Sequence, residues 1–364
     1  MRVLYLINFA GKAGTEKYVE NLVRILSPEQ IDSYFAYGIG GELSEKMAKA
    51  SVPSLQLDMS RKSLIRAAKR LAEYCRKNDI DVIHAQYPRE NIIALLSKRY
   101  WSKPKVVLTN HLTLRLRGIS GFYWRLINRH FTAKNHCIIA VCREGRDIMI
   151  ENGVASDKIK VIYNGIEPAG NPDKNSAIRN ELGLPPDCFI LTIFARFAPE
   201  KGLGFLLDVL YKLKAVASRR FCCLICGDGE LFGKISVKLD SMDLNDCCKL
   251  LGYRKDTADI LRSSDMYVCT SSRNEAMSFA ILEAMNAGLP LVVTDVGGNR
   301  DLAETDIRCG YVLPYRDIEG FALAIKKLMD NPCLLSEYSD ASRNKVSEYF
   351  DLNKLALDIY KSYQ

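Results

Sequence analysis

Short apolar runs alternate with longer amphipathic stretches along most of the chain. In the first half, residues 2–7, 33–37, 54–57, 82–84, 106–109, 137–141 and 159–162 have the length and composition of strands. Residues 15–26 and 63–77 carry apolar positions at helical spacing between them. The pattern breaks at YNGIEPAGNP, residues 163–172, where Gly, Pro and Asn cluster as they do in linkers. It restarts with strands at 189–194, 221–226, 249–251, 266–269 and 290–294, and with helices at 204–215 and 279–287. Strands that alternate with helices make βα units on a parallel sheet, so two successive doubly wound α/β domains are expected. The expected boundaries are 1–167 and 168–347, with a ligand in the crevice where the domains meet.

A length of 364 residues fits two domains, each able to bury its own core. With 48% hydrophobic and 26% charged residues, disorder is excluded as the general state. No apolar run approaches the roughly 20 residues that span a bilayer, and the N-terminus enters a strand without a signal-peptide cleavage pattern. The expectation is a cytoplasmic protein, soluble or peripheral on the inner face of a membrane. Twelve cysteines would suggest disulfides only in an oxidising compartment, and several lie inside strand runs as small buried hydrophobes. The CLIC string at 223–226 has no second pair at zinc spacing, so neither a metal nor a redox role is expected of it.

The net charge of +8 is unevenly placed. Residues 1–170 hold 27 Lys and Arg against 16 Asp and Glu, while residues 171–364 hold 24 against 27. Between Glu90 and Glu144 there is no acidic residue and there are ten basic ones, among them Arg115, Arg117, Arg125 and Arg129. A solvated basic face accounts for the cations alone. Trp101, Phe122, Tyr123, Trp124 and Phe131 share the stretch, however, and aromatic anchors beside cations suit an anionic membrane surface. No nucleic-acid module accompanies it, so nucleic acid is not an expected partner.

Three strand exits carry candidate chemistry. AGKAGTE at 10–16 follows the first strand and opens a helix, where Gly14 lets backbone approach an anion; Glu16 would equally serve the helix start. FARFAPEKG at 194–202 places Arg196 and Lys201 where a planar fork and a point charge could meet one diphosphate. SSRNEAMSFAILEAMNAGLP at 271–290 sets Glu275 in a loop and Glu283 about one turn inside the next helix. That spacing suits a nucleotide sugar, with sugar hydroxyls at Glu275, diphosphate at the helix amides and ribose at Glu283. Glu283 also interrupts an apolar run, where a charge is costly without a partner.

These strings together resemble the retaining glycosyltransferases of the GT-B fold, glycosyl transferases group 1 (family 4). Glu275 and Glu283 form the E-x7-E signature, followed by EAM-x-x-G-x-P and TDVGG at 294–298. DVIHA at 81–85, VIYNGI at 161–166 and CGDG at 226–229 extend the match in the family's order. The resemblance implies two Rossmann-like domains facing across a cleft, with a C-terminal helix at about 348–364 packing back onto the first. It implies that Arg196 and Lys201 bind the donor diphosphate, that Glu275 contacts the donor sugar and that the amides of Ala276, Met277, Ser278 and Phe279 receive oxygens. Glu283 would bind the ribose, and Gly252 and Arg254 would flank the base. His111, in LTNHL, matches a first-domain histidine near the donor sugar; a structural histidine closing the strand is the alternative. His84 ranks below it.

The implied reaction moves a hexose or N-acetylhexosamine from a UDP or GDP sugar to an acceptor, without metal or other cofactor. A lipid-linked acceptor at a membrane is expected from the basic aromatic stretch, with Arg115, Arg117, Trp124, Arg125 and Arg129 on the docking face. A soluble small molecule or protein is the alternative acceptor. A nucleotide-sugar epimerase or a non-catalytic binding protein fits the motifs less well. Asp79 and Asp81 have DxD form but precede a first-domain strand, so no metal is expected there. The oligomeric state is left open.

Overall fold

The computed structural model describes residues 1–26, 31–116, 118–169, 177–273 and 275–364, apart from the side chains of residues 119 and 120. It divides into two compact units, Met1–Asn164 with Leu352–Gln364, and Gly165–Asp351.

The first unit contains strands β1 (Arg2–Phe9), β2 (Asp32–Ile39), β3 (Ser54–Gln56), β4 (Val82–Ala85), β5 (Lys105–Asn110), β6 (Cys137–Ala140) and β7 (Ile159–Val161). They form one sheet in the order β3-β2-β1-β4-β5-β6-β7, and every pairing is parallel. Its helices are α1 (Gly14–Ile25), α2 (Glu42–Lys49), α3 (Leu64–Lys77), α4 (Pro88–Ser97), α5 (Gly118–Thr132) and α6 (Arg143–Glu151). Helix α3 shows why the chain folds this way. Its Ala67, Leu71 and Cys75 at i, i+4 spacing, with Ala68 and Ala72 beside them, form the buried stripe. That stripe packs with Leu4, Leu6 and Ile83 of the central strands.

The second unit contains α7 (Ala177–Glu181), β8 (Phe189–Phe194), α8 (Leu203–Val216), β9 (Phe221–Cys226), α9 (Phe232–Ser241), β10 (Cys248–Gly252), α10 (Thr257–Ser263) and β11 (Met266–Cys269). It continues with α11 (Phe279–Asn286), β12 (Leu291–Thr294), α12 (Asn299–Ala303), β13 (Gly310–Leu313), α13 (Ile318–Asp330) and α14 (Pro332–Tyr349). Its parallel sheet runs β10-β9-β8-β11-β12-β13, so strand order reverses between β8 and β11. Loops at the carboxyl ends of the strands beside such a reversal form the ligand crevice of open α/β sheets. The strands FCCLIC of β9 and MYVC of β11 are buried throughout, as expected of strands covered on both faces.

The last helix, α15 (Leu352–Tyr363), belongs to the first unit. The return begins at Leu352 rather than near 348, because α14 stays on the second unit. Ser339 and Ser342 of α14 donate to the Gly288 and Leu289 carbonyls, and Lys345 donates to the Thr305 and Ile307 carbonyls. All 12 cysteines are free thiols, 11 of them buried. Among the described residues, no helix is long and apolar enough to cross a membrane.

Candidate active site

In the second unit the chain leaves β8 and turns through Pro199–Lys201 before α8. Gly202 closes this turn at φ +64°, and a Cβ there would lie 2.0 Å from the Thr270 carbonyl oxygen. The turn therefore packs directly on the end of β11. Thr270 Oγ1 donates to the Lys201 carbonyl at 3.1 Å, and the Ser272 N–H donates to the Glu200 carbonyl at 2.7 Å. Backbone stitching of this kind brings residues 74 positions apart into contact. Lys201 Nζ sits 2.6 Å from Glu275 Oε2, and Ser271 Oγ donates to the same oxygen at 2.7 Å. The Lys201 side chain is 25% exposed and that of Glu275 is 9% exposed. Burial works against the ammonium, but the adjacent carboxylate and its hydrogen bond outweigh it and hold Lys201 above the ordinary lysine range.

The Glu275 loop is braced from its other side by TDVGG. Thr294 Oγ1 donates to the Ser271 carbonyl at 2.6 Å, and the Gly298 N–H donates to the Ala276 carbonyl at 2.7 Å. Gly297 has φ +60°, and a Cβ there would lie 1.3 Å from the Glu275 carbonyl oxygen. Met277 and Phe279 are buried anchors of the turn into α11, and Ser278 is its N-cap without a side-chain capping bond. Glu283 is half-buried, five residues into α11, and lines a pocket of about 360 Å³ with Ile166, Thr257 and Asn286.

A second pocket of about 400 Å³ lies at the carboxyl ends of β8 and β9, lined by Arg196, Gly227, Asp228, Tyr253, Arg254 and Thr257. Arg196 does not share Lys201's surroundings: its side chain is 70% exposed and pairs with Glu200 at 2.5 Å. Arg254 is engaged fully, making two hydrogen bonds to Glu181 and two to Asp256. It therefore braces the pocket wall rather than offering an uncompensated charge. Gly252 ends β10 at φ +64°, and Tyr253, between the two residues singled out from sequence, is 58% exposed. A flat ring at this mouth is suited to stacking on a base.

In the first unit, Gly14 is the first residue of α1 and is exposed. Glu16 is buried; burial raises its pKa, opposed by hydrogen bonds from its own N–H and from Gly11. That geometry makes Glu16 a residue of the helix start. His111 follows β5, packs edge-on against Tyr18 at 4.9 Å between ring centroids, and places Nε2 3.1 Å from Gln86 Oε1. Gln86 is fully buried, and its Nε2 donates to the His84 carbonyl at 3.2 Å. With the amide nitrogen committed to a carbonyl, the amide oxygen faces His111, so the histidine carries its proton on Nε2. Burial pushes the His111 pKa down to about 3, which leaves a neutral ring with its lone pair on Nδ1. Sequence reasoning missed Gln86; its position beside His84 in the strand exit was the available signal.

His84 is a structural residue. It is fully buried, with Nδ1 2.7 Å from the Tyr363 hydroxyl of α15 and Nε2 2.7 Å from Thr109 Oγ1. Burial pushes its pKa down to about 3. Asp79 and Asp81 pair with Lys103 at 2.7 and 2.9 Å, which accounts for both carboxylates of the DxD string. Among the described residues, no three His, Cys, Asp or Glu side chains group as a metal site.

The basic stretch is less uniform in space than in sequence. Arg115 pairs with Glu144 at 3.2 Å and Glu151 at 2.7 Å, both from α6, so its charge is compensated. Arg117 lies outside the described residues. Arg125 and Arg129 are exposed on α5, with Arg125 donating to the Leu116 carbonyl at 3.2 Å. The same helix exposes Phe122, Tyr123, Trp124 and Leu126.

Two family models match the chain in succession: Glycosyltransferase Family 4 over residues 13–169 and Glycosyl transferases group 1 over residues 174–348. The UDP-Gal:alpha-D-GlcNAc-diphosphoundecaprenol alpha-1,3-galactosyltransferase of Escherichia coli is 28% identical over 360 residues, covering 94% of this chain and 91% of its own. The N-acetyl-alpha-D-glucosaminyl L-malate synthase of Bacillus anthracis is 24% identical, covering 79% and 75%. Among solved structures, Anabaena HepE in complex with UDP superposes with a TM-score of 0.87 at 19% identity, over 100% of this chain and 99% of that one.

Proposed function

The chain belongs to the group 1 glycosyltransferases of the GT-B fold, and from that membership we propose that it is a retaining, metal-independent hexosyl- or N-acetylhexosaminyltransferase acting on a lipid-linked acceptor. The observation that carries the reading is the Lys201–Glu275 pair, held at the strand reversal of the second unit beside the start of α11. UDP is the proposed donor nucleotide, supported by the UDP-Gal named for the E. coli relative. The acceptor follows from the same relative, whose acceptor is a diphosphoundecaprenol-linked GlcNAc.

In this reading the bond between the sugar anomeric carbon and the diphosphate breaks, and negative charge develops on the departing phosphate oxygen. Lys201 and Arg196 neutralise that charge, the largest electrostatic task of the step. The acceptor hydroxyl attacks the same face of the sugar, and its proton passes to the phosphate oxygen that leaves. Glu275 accepts hydrogen bonds from the sugar hydroxyls, Glu283 from the ribose, and the base stacks at Tyr253 over Gly252. The neutral His111 accepts a hydrogen bond from a sugar hydroxyl at Nδ1 while Gln86 holds its Nε2–H. Gly14 and the amides of Ala276 through Phe279 supply close backbone approach. A panel of nucleotide sugars, followed by nucleotide release in excess chelator, is expected to show one preferred UDP sugar and undiminished turnover. Abolition of turnover by the chelator would contradict metal independence, and preference for a GDP sugar would move the nucleotide assignment.

Peripheral membrane binding belongs to the same reading. Arg125 and Arg129 supply the cations, and Phe122, Tyr123 and Trp124 the rings that enter the headgroup region. Arg125→Gln with Arg129→Gln is expected to weaken binding to anionic liposomes about thirtyfold in co-sedimentation, at about 1 kcal/mol per basic residue. Binding that is equal in wild type and double variant rejects α5 as the docking face. A soluble acceptor is the second reading, favoured by the malate of the B. anthracis relative.

A further inference from the structure

A cavity of about 170 Å³ opens beneath α5 in the first unit, and none of the residues assigned above to the nucleotide sugar lines it. Its floor is Leu108, Met149 and Val154, and its walls include Ile127 and Phe131 of α5. At its mouth stand Leu112, Leu114 and Trp124, which are 42%, 59% and 46% exposed. Asn91, Asn110, Asn128, Thr132 and Asn152 also line it, but the lining is mostly apolar, and an exposed apolar mouth of this kind is costly in water unless something covers it.

Position and size limit the occupant. His111 lies between Asn110 and Leu112, both of which line the cavity, so the cavity begins next to the histidine expected at the reacting end. An apolar cavity of about 150 Å³ accepts a six-carbon ring, so this one has room for a branched five-carbon unit. Arg125 and Arg129 are exposed on the helix that roofs it, which favours a ligand with an anionic head. A prenyl chain carried on a diphosphate combines these properties: anionic at one end, with branched five-carbon units following directly.

We propose that the cavity beneath α5 binds the prenyl unit next to the diphosphate of a polyprenyl-linked acceptor. The identity of the ligand rests on the reading of a lipid-linked acceptor given above. The cavity selects the lipid by its first units, independently of the membrane that holds the rest.

Trp124 supplies the readout. Trp101, the other tryptophan, buries its Nε1–H without a hydrogen-bond partner, so Trp101→Phe leaves Trp124 as the sole reporter at little expected cost to folding. Titration of the Trp101→Phe protein with geranyl diphosphate in detergent-free buffer is expected to change Trp124 emission saturably, and inorganic diphosphate is expected to leave it unchanged. Leu114→Gln and Ile127→Gln, both at partly exposed positions, are expected to weaken geranyl diphosphate about tenfold. Equal affinity in the variants, or an equal response to inorganic diphosphate, overturns the proposal. The same variants separate it from the reading on which it rests. Transfer to a prenyl-linked acceptor at wild-type KM in both variants removes the cavity's role and leaves the activity standing. Prenyl binding that persists without transfer to any lipid diphosphate leaves the cavity standing and removes the acceptor assignment.

Discussion

Lys201→Ala is expected to lower kcat by about a thousandfold, the scale on which loss of one preorganised charge-stabilising group is felt. Two effects combine in this variant. The departing nucleotide loses the compact charge closest to the site, and Glu275 loses the partner that compensates its burial. With its side chain 9% exposed, Glu275 would retain Ser271 as its hydrogen-bond donor. Removing one member of a buried pair costs about 3 kcal/mol, so the melting temperature is expected to fall by several degrees as well. Lys201→Arg is not expected to restore activity, because a planar fork cannot replace a point charge 2.6 Å from the carboxylate. Arg196→Gln acts differently. That side chain is 70% exposed, so the expected change is a kcat loss smaller than that of Lys201→Ala, with a raised KM for the nucleotide sugar and little loss of stability. Steady-state kinetics alongside thermal unfolding check both. A Lys201→Ala enzyme turning over within threefold of wild type would remove the pair from the chemistry.

Gly297→Ala is expected to reduce activity by at least a hundredfold although the residue carries no functional group. Its φ of +60° costs an alanine roughly 1–2 kcal/mol, and its Cβ would lie 1.3 Å from the Glu275 carbonyl oxygen. One backbone or the other must move, and a displacement of about 1 Å at the Glu275 loop is enough for a loss of that size. Gly183→Ala is the control. Gly183 has φ +61°, and a Cβ there would meet no atom within 4 Å, so it bears the strain without the clash. Thermal unfolding of both variants with kinetics on each separates the terms. Equal activity of Gly297→Ala and Gly183→Ala would show that packing against Glu275 does not matter.

The strands were legible because a buried parallel strand leaves a compact apolar run. FILTIF at β8 and FCCLIC at β9 have the bounds read from sequence. Strand β13, Gly310–Leu313, was not legible: it is four residues long, sits at a sheet edge and is largely half-buried, so its run is weak. The candidate site was legible as strand exits but not as contacts. Nothing in one dimension places Lys201 on Glu275, 74 residues away, or Tyr363 on His84, 279 residues away. The ion-pair partners of Arg115 were hidden for a related reason. The window between Glu90 and Glu144 contains no acidic residue, yet Glu144 and Glu151 lie just past its end and fold back onto Arg115. Gly297 was visible only as part of a string, since a glycine required by a neighbour's carbonyl looks like any other glycine until the neighbour is known.

The proposed reaction is transfer of a sugar, with retention, onto a prenyl-diphosphate-linked saccharide. The most direct test incubates the purified protein with UDP-hexoses and a prenyl-diphosphate-linked N-acetylglucosamine, then determines the product mass and anomeric configuration by mass spectrometry and NMR. The expected product is a disaccharide lipid one sugar heavier, with an α linkage from an α-linked donor and one UDP released per transfer. A β-linked product, or nucleotide release with free sugar and no lipid-linked product from any UDP-hexose, would contradict it.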